Sequence, residues 1–335
     1  MKQMTLKAPA GLDQLTLVDA DDPGAPGRGE VRVRIHASSL NFHDFGVVSG
    51  RMPSADGRIP LSDGAGVVEA VGDGVTEFKE GDRVVSTFFP YWADGEPTIG
   101  DFSQTPGDGI DGFASEVVVR PVSAFTLAPE GWSHEEAATI TTAGLTAWRA
   151  LIVHGGLKAG DTVLTLGTGG VSIFALQIAK AMGARVAITS SSDEKLTKAK
   201  ELGADFTVNY RTHEEWYPAI EEWTHGHGVD HVIELGGPGT LPQSISAARI
   251  GGQIHLIGVL TGASGNIPTA NFMRKQQSLR GLIVGNRRQQ QDFVKALENT
   301  GIRPVIDSVY PLEQLADAFR HEEAGKHFGK IAVSI

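Results

Sequence analysis

The chain has 335 residues, of which 41% are hydrophobic and none is cysteine, and its formal net charge is −11. This length can fill two domain cores, and the absence of cysteine excludes disulfides, thiolate nucleophiles, iron–sulfur clusters and cysteine-ligated zinc. The negative charge argues against nucleic acid as a partner, and no segment has the pattern of a membrane span or a signal peptide, so we expect a cytoplasmic protein with no membrane partner.

The first part of the chain, residues 1–125, is predicted to be β-rich. Short runs of alternating apolar and polar residues are separated by clusters of Gly, Pro and Asp, which is typical of half-buried strands joined by turns. The runs are VRVRIHA (31–37), GVVEAVG (66–72), DRVVSTF (82–88) and ASEVVVR (114–120). They favour an antiparallel barrel or sandwich with long loops.

From about Trp132 onward, predicted helices and strands alternate. Helices are expected at 134–156, 171–183, 194–204 and 241–252, and strands at 161–167, 185–191, 206–210, 231–237, 253–259 and 278–285. This alternation predicts a parallel sheet covered by helices on both faces. Two more helices (290–301 and 312–325) and a closing strand (330–335) follow, and that strand could rejoin the first domain.

The stretch LGTGGVS, residues 166–172, has the pattern of a dinucleotide-binding turn. A strand ends at Gly167, the turn carries Gly169 and Gly170, and a helix begins at about Val171. Such a turn lets backbone approach a pyrophosphate while the helix N-terminus offers free N–H groups. Ser172 stands where G-x-G-x-x-G has its third glycine, a packing position that a small residue can fill. Because the turn lies inside a βαβ unit, we favour a cofactor site over an ordinary strand-to-helix turn.

The end of the second strand favours NADP(H). NAD enzymes place Asp or Glu there to hold the ribose 2′-hydroxyl, whereas this chain has Ser190 and Ser191, which can donate to a 2′-phosphate. Lys195 lies one helical turn further on, and Tyr210 and Arg211 could add stacking and positive charge.

The same serines allow a second interpretation. Ser192 could simply cap the following helix, and Asp193 could still hold the ribose of NAD.

Several segments, in this order along the chain, carry a resemblance to a known family. They are ASSLNFHDFGVVSG, IPLSDGAGVVEAVGDGVTEFKEGDRVV, DGFASEVVV, EEAATITTAGLTAWRAL, LKAGDTVLTLGTGGVSIFALQIAKAMGARV and AKELGADFTVNYR. The chain resembles the medium-chain dehydrogenase/reductase superfamily in its zinc-free, quinone-oxidoreductase-like branch. The resemblance implies an α/β fold: a β-rich GroES-like catalytic domain (1–125 and 288–335) and a Rossmann-type doubly wound parallel sheet (126–287), with a cleft between them. It also implies a homodimer joined through the edges of the cofactor-domain sheets.

The positions that bind catalytic zinc in zinc-dependent relatives carry other residues here. The resemblance puts Asn41 and Ser62 at the first cysteine and the histidine ligand, and the third ligand near Thr141. The four-cysteine structural lobe is missing. Asn and Ser alone do not hold zinc tightly, so we expect no metal. An unrelated metal site could only draw on the nearby side chains of Asp44, Asp63 and His43.

Without zinc, hydrogen bonds or a proton donor must polarise the substrate oxygen. Asn41 matches an asparagine that zinc-free relatives place beside the nicotinamide, although it could equally stabilise its loop. Tyr91 is a candidate acid or aromatic wall, and could also be a packing residue. His43 could relay a proton or be an ordinary cleft histidine. Arg51 and Asp44 are expected to shape the loop or bind polar substrate groups.

Further cofactor contacts are implied by matching the family motifs. Thr142 falls where relatives contact the nicotinamide or its phosphate. Other matched positions lie at predicted strand ends: Gly236, Gly258, Val259, Val284, Gly285 and Asn286. Ligands bind at the carboxyl ends of strands in such sheets, although each position could instead be a turn glycine or core residue.

These features predict an NADP(H)-dependent oxidoreductase that transfers hydride to a small-molecule acceptor, namely a quinone, an enone or another activated carbonyl compound, without zinc. One alternative is an alcohol dehydrogenase or ketone reductase of the same superfamily. Another is a non-catalytic NADPH-binding redox sensor.

Overall fold

The computed structural model describes residues 1–335, which divide into two compact units. The β-rich unit contains Met1–Leu145 and Val284–Ile335, and the cofactor unit contains Thr146–Ile283. The first division lies after Leu145 rather than after residue 125, where we predict a domain boundary. The intervening residues Ala137 and Ala138 pack in one buried cluster with alanines of the β-rich strands, which explains why this segment belongs to that unit.

The chain forms fifteen strands and ten α-helices. The strands are β1 (Lys2–Leu6), β2 (Leu15–Asp19), β3 (Glu30–Ser39), β4 (Ala65–Val71), β5 (Arg83–Ser86), β6 (Val117–Pro121), β7 (Phe125–Leu127), β8 (Thr162–Leu166), β9 (Arg185–Ser190), β10 (Phe206–Asn209), β11 (Val229–Glu234), β12 (Ala248–Leu256), β13 (Ser278–Gly281), β14 (Ile306–Pro311) and β15 (Lys330–Ser334). The helices are α1 (Phe42–Val48), α2 (His134–Ala138), α3 (Leu145–Trp148), α4 (Gly170–Ala181), α5 (Asp193–Glu201), α6 (Tyr217–Trp223), α7 (Leu241–Ala247), α8 (Thr269–Arg274), α9 (Arg287–Thr300) and α10 (Leu315–Glu323). None of the helices combines the length and apolarity needed to cross a bilayer.

The β-rich unit is built on a seven-stranded sheet. Its strands run in the order β14-β15-β3-β4-β5-β7, with β6 also paired to β3. Along β3, Val31, Val33 and Ile35 are buried, because successive side chains of a strand point to opposite faces. The closing strand β15 pairs antiparallel with β3, with Ala332 opposite Ser39, so it rejoins the first domain as the sequence predicts.

The cofactor unit contains a six-stranded sheet in the order β10-β9-β8-β11-β12-β13. All five pairings are parallel. The first strand of the unit, β8, is central, and the chain order reverses between β8 and β11, as in dinucleotide-binding sheets. The carboxyl ends of β8, β9, β11 and β12 therefore meet at one edge. β13 is an outer strand, and the expected pairing of a second copy along it stays a prediction.

Some predicted element boundaries are wrong. The helix predicted at 241–252 ends at Ala247, because the next residues pair as β12 with β11. The strand predicted at 278–285 ends at Gly281, and Val284, within the predicted strand, has a φ of 44°, which is not an extended conformation. Helix α6, which carries Pro218 in its first turn, has no counterpart among the predicted elements.

Candidate active site

The predicted pyrophosphate turn lies between β8 and α4. Gly167 follows the strand directly with a φ of 77°, a left-handed conformation that favours glycine. Gly169 is the N-cap of α4, and Gly170 and Val171 are its first two residues. The turn thus ends at the N-terminus of a twelve-residue helix, whose first N–H groups suit a phosphate.

Ser172 fills the third glycine position as a packing residue. Its side chain is fully buried, and its hydroxyl donates a 2.7 Å hydrogen bond to the carbonyl of Leu166 at the end of β8. The serine therefore fastens the helix to the strand, which is compatible with a cofactor turn.

At the end of β9, the position of the NAD-binding carboxylate is taken by Ser190. Its side chain is buried, and its hydroxyl accepts a 3.3 Å hydrogen bond from the backbone N–H of Ser192. Ser192 also caps α5, accepting from the N–H of Lys195 at 3.4 Å, as the second interpretation of the serines expects. The carboxylate of Asp193 accepts a 2.7 Å hydrogen bond from Asn209. The serine segment is therefore held by its own hydroxyls, and its nearest carboxylate is tied to β10.

The remaining residues predicted to hold the 2′-phosphate lie next to Ser190. Ser191 is half-buried, and the backbone N–H of Tyr210 donates a 3.0 Å hydrogen bond to the carbonyl of Ser190. The Tyr210 side chain is 42% exposed, so its ring is available for stacking. Arg211 is exposed.

The carboxyl ends of β11 and β12 are organised by a buried carboxylate that the sequence reasoning missed. Glu234 accepts hydrogen bonds from the N–H groups of Gly236 and Gly237, at 2.8 and 3.0 Å, and also from two hydroxyls. A Cβ at Gly258 would lie 2.2 Å from the carbonyl oxygen of Leu235. Close backbone approach therefore explains the glycine at Gly258, and at Gly236 a Cβ would lie 2.2 Å from the Thr240 hydroxyl oxygen, so both glycines are explained without a ligand.

Val259, the residue after Gly258, lies at the surface. Val259 is 56% exposed at the same sheet edge, so its side chain is available to a ligand. Its predicted contact with a cofactor stays a prediction.

Three residues assigned to a strand end have other local roles. Val284, Gly285 and Asn286 belong to the β-rich unit and follow the carboxyl end of β13, which ends at Gly281, and their predicted contact with a cofactor stays a prediction. Asn286 is buried and caps α9, accepting a 2.8 Å hydrogen bond from the N–H of Gln289. Its amide is thus already used in starting a helix.

The β-rich unit contains a network of buried side chains around Asp63, which we call the buried polar cluster. Its members are Ser39, Asn41, Asp44, Ser62, Asp63, Thr142 and Lys330. Asp63 is the hub and is fully buried. One carboxylate oxygen accepts from Ser39 at 2.6 Å and from Asn41 at 2.9 Å, and the other accepts from the Thr142 hydroxyl at 2.6 Å. The structure therefore joins two predicted site residues, Asn41 and Thr142, through one carboxylate.

The cation of the cluster is Lys330, the first residue of β15. Its side chain is 3% exposed, and its ammonium donates to the side-chain oxygen of Asn41 at 2.6 Å and to the carbonyl of Leu40. The same nitrogen lies 3.7 Å from a carboxylate oxygen of Asp63. The pairing of β15 with β3 brings this lysine beside residues 290 positions earlier in the chain.

The amide of Asn41 is fully committed within the cluster. Its nitrogen donates to Asp63 and, at 3.0 Å, to Asp44, while its oxygen accepts from Lys330. The structure thus realises the loop-stabilising alternative for Asn41. Donation to a substrate oxygen would require one of these bonds to break.

The cluster does not fit a zinc ion. Ser62 donates its hydroxyl to Asp44 at 3.3 Å, and Thr141 donates its hydroxyl to the carbonyl of Ser86 at 2.9 Å. No group of three or more His, Asp or Glu side chains is arranged to hold a metal. Zinc prefers thiolate and imidazole ligands, whereas these positions offer an amide and two hydroxyls, and the amide oxygen already accepts from the Lys330 ammonium.

Burial shifts the ionisation of two carboxyls in this region. Burial is the larger cause of the raised pKa of Asp44, which is about 6, and the negative charge of Asp63 is the second cause. Burial also raises the pKa of Glu322, on α10, to about 8, although the nearby Lys330 ammonium acts in the opposite direction. Glu322 is 5% exposed, and its Oε2 makes no hydrogen bond.

Replacing Glu322 by Gln should stabilise the protein increasingly as the pH rises. A carboxyl whose pKa is raised from 4.5 to about 8 on folding favours the folded state least above pH 8, where burial opposes its charge. The stabilisation that Glu322 gives the folded state therefore falls as the pH rises from 4.5 to about 8. Glutamine does not ionise, so the variant avoids this fall. Urea unfolding of Glu322→Gln and wild type across this range tests the prediction. The control is Glu323→Gln, because the Glu323 side chain is 51% exposed. If the free energy of unfolding of Glu322→Gln and of wild type changes with pH in parallel, the prediction is wrong.

The other predicted catalytic residues lie outside the buried polar cluster. The His43 ring lies 4.4 Å from the Phe102 ring, and its Nε2 is 3.2 Å from a carboxylate oxygen of Asp108 without a well-aligned hydrogen bond. Tyr91 is 58% exposed. Arg51 stacks over the Phe45 ring at 4.7 Å, in keeping with a loop-shaping role.

Lys330 and Glu322 were both missed at the sequence level as members of this region. The available signal for Lys330 was a lysine opening an otherwise apolar strand, KIAVSI. A charge in such a place is seldom buried without a partner. Nothing local identified the partner.

Two family models match the chain. Residues 27–130 match "Alcohol dehydrogenase GroES-like domain" and residues 170–300 match "Zinc-binding dehydrogenase". A zinc-type alcohol dehydrogenase-like protein of Schizosaccharomyces pombe is 40% identical over 334 residues, which cover 97% of this chain and 96% of that protein. The chain belongs to the medium-chain dehydrogenase/reductase superfamily.

Two solved structures of this superfamily carry different names. The chain is 35% identical to an NAD-dependent alcohol dehydrogenase, with a TM-score of 0.91 and full coverage of both chains. It is 30% identical to a quinone oxidoreductase of Pseudomonas syringae pv. Tomato DC3000, with a TM-score of 0.83, covering 100% of this chain and 99% of that one. As a medium-chain dehydrogenase/reductase, the protein is an oxidoreductase of an NAD(P)-dependent family.

Proposed function

We propose that the protein is a zinc-independent, NADP(H)-dependent oxidoreductase that reduces a quinone, an enone or another activated carbonyl compound. The observation that carries the proposal is the buried polar cluster. The positions matched to zinc ligands, Asn41 and Ser62, are hydrogen-bonded to carboxylates, and the Lys330 ammonium donates to the side-chain oxygen of Asn41. Alcohol oxidation usually draws on a metal to stabilise the alkoxide, so a site of this composition is better suited to an acceptor that is already activated.

The cofactor unit supplies the features that favour NADP(H). The turn at Gly167 and Gly169 and the N-terminus of α4 suit the pyrophosphate. Ser190 and Ser191 supply hydroxyls where a carboxylate would repel a 2′-phosphate, and Lys195 adds positive charge one helical turn away. Bound NADPH would supply the hydride.

The β-rich unit supplies the candidate polar groups for the acceptor. Thr142 donates its hydroxyl hydrogen to Asp63 at 2.6 Å, and its side chain is half-buried. Among the predicted acids, His43 is favoured over Tyr91 as proton donor, because its Nε2 is buried without a well-aligned hydrogen bond and faces the Asp108 carboxylate.

The names of similar proteins support a second candidate, an alcohol dehydrogenase or ketone reductase. Both the fission yeast relative and the NAD-dependent solved structure are named alcohol dehydrogenases or alcohol dehydrogenase-like. A third candidate, a redox sensor, would bind NADPH without turning over.

The three candidates make different predictions for purified protein. We expect NADPH to be oxidised with a quinone such as menadione or an enone such as cyclohexenone, and much more slowly with an unactivated ketone. We expect no stoichiometric zinc by elemental analysis and full activity after treatment with a chelator. Faster oxidation of simple alcohols with NADP⁺ or NAD⁺ would favour the dehydrogenase, and binding of NADPH with no turnover on any acceptor would favour the sensor. Loss of activity with the chelator would refute the zinc-independent mechanism.

A further inference from the structure

The buried polar cluster places two carboxylates and an ammonium out of contact with water. Asp44 and Asp63 are 2% and 0% exposed, and both accept from the same amide nitrogen of Asn41. Two like charges buried together are unfavourable unless a cation compensates them. The ammonium that lies among these side chains is that of Lys330, itself 3% exposed.

The hydrogen bonds of Lys330 also set the direction of its neighbours. Because the ammonium holds the oxygen of Asn41 at 2.6 Å, the amide nitrogen must face the carboxylates. That nitrogen and the ammonium both face the Oδ2 side of Asp63, which leaves Oδ1 for the hydroxyl of Thr142 at 2.6 Å. A chain of contacts thus runs from Lys330 through Asn41 and Asp63 to Thr142, the half-buried member of the cluster.

We infer that the ammonium of Lys330 is the cation that compensates this pair of buried carboxylates, and that it acts as a positioning residue that holds Asn41, Asp63 and Thr142 in their working orientation. An ammonium offers three hydrogen-bond donors and one positive charge, which match the oxygen atoms it faces. It provides no open coordination position, so its effect on the reaction passes through the side chains that it orients. The inference rests on the proposed zinc-independent reaction.

The test uses two neutral variants of the full-length protein. Lys330→Met keeps most of the side-chain volume without the charge, and Lys330→Ala opens a cavity that propylammonium can refill, since it carries the deleted atoms. The matched control is Lys275, a partly buried lysine of the cofactor unit that donates to the main-chain carbonyls of Ser246 and Ala248. Lys275→Met and Lys275→Ala should keep kcat/KM within about threefold of wild type, because only distant packing changes.

We expect Lys330→Met to lower kcat/KM with the active acceptor by about tenfold or more, with NADPH affinity nearly unchanged, because misplaced groups slow the reaction more than they weaken cofactor binding. Propylammonium chloride should raise both the Tm and the kcat/KM of Lys330→Ala, compared with sodium chloride at the same ionic strength. It should leave wild type, Lys330→Met and Lys275→Ala unchanged. 1-Propanol, which fills the cavity without a charge, should not rescue.

Several results would overturn the inference. They are wild-type kcat/KM in Lys330→Met, equal rescue by 1-propanol and propylammonium, and equal rescue of the Lys275→Ala control. If neither neutral variant folds, the double variant Lys330→Met/Asp63→Asn is compared with Asp63→Asn, which carries the same change at Asp63. Equal or greater stability of the double variant supports charge compensation, and a further loss of stability contradicts it.

The same measurements separate this inference from the proposed function. Rescue of the Tm by propylammonium needs no acceptor, so it can succeed even if wild type reduces no quinone or enone, in which case the proposed function fails alone. Conversely, rapid quinone or enone reduction by both wild type and Lys330→Met would uphold the proposed function and refute the role of Lys330.

Discussion

Ser190→Asp is expected to weaken NADPH binding by about 100-fold while NADH binding stays within about threefold of wild type. The new carboxylate would stand at the end of β9, where the 2′-phosphate is expected, and a charge pair a few ångströms apart near a protein surface costs a few kcal/mol. The same carboxylate can accept a hydrogen bond from the ribose 2′-hydroxyl of NADH, which offsets the loss of the serine hydroxyl. Fluorescence titration of each nucleotide gives both dissociation constants.

The matched control for this substitution is Ser190→Asn, which has nearly the same shape as aspartate and no charge. It should change the ratio of NADPH to NADH affinity far less than Ser190→Asp does. If Ser190→Asp leaves the ratio unchanged, the 2′-phosphate does not lie at this residue. Wild-type preference for NADH would instead point to Asp193, whose carboxylate accepts a hydrogen bond from Asn209.

Asp63→Asn is expected to lower the free energy of unfolding by about 3 kcal/mol, because breaking a buried ion pair leaves an uncompensated charge, here that of Lys330. The substitution also creates a mismatch of hydrogen bonds. Both oxygens of Asp63 accept from donors, so an amide nitrogen in place of either oxygen would face Ser39 and Asn41 or Thr142, which are themselves donating. Urea unfolding followed by fluorescence measures the loss.

An exposed aspartate provides the comparison for Asp63→Asn. The Asp111 side chain is 48% exposed and pairs with Arg58 at 2.9 Å, and Asp111→Asn should change stability by no more than about 1 kcal/mol. If Asp63→Asn unfolds at the same urea concentration as Asp111→Asn, the ion pair with Lys330 does not support the fold.

The sequence predicts the cofactor unit well because its signals are local. The βαβ unit around LGTGGVS, the serines at the end of β9 and the alternation of helices and strands each depend on residues close together in the chain, and the parallel sheet confirms the fold that they predict. The residue types at Asn41 and Ser62, the positions matched to zinc ligands, could also be read from the sequence alone.

Other features depend on contacts between distant parts of the chain. The position of Lys330 beside Asn41 follows from the pairing of β15 with β3, which no local pattern specifies. The strand predicted at 253–259 ends at Leu256, the last residue of β12. The N–H groups of Ile257 and Gly258 both donate to the carbonyl of Glu234, and this tertiary contact ends the strand although the sequence stays apolar. The role of Asn286 as a helix cap was available from its spacing to Gln289, but its match to a family position obscured it.

The β-rich unit is made of two stretches of chain separated by the whole cofactor unit, and the ends of those stretches are adjacent. A Cβ placed on Gly285 would lie 3.0 Å from the Leu145 side chain, so the chain leaves this unit and returns to it at nearly the same point. Such geometry is that of a domain inserted at one point of a host, here between Leu145 and Thr146 at the start of α3. Thr146–Ile283 could therefore be excised and the host rejoined by a short linker, or exchanged for a cofactor module of different nucleotide preference, without stretching the sheet that carries Lys330.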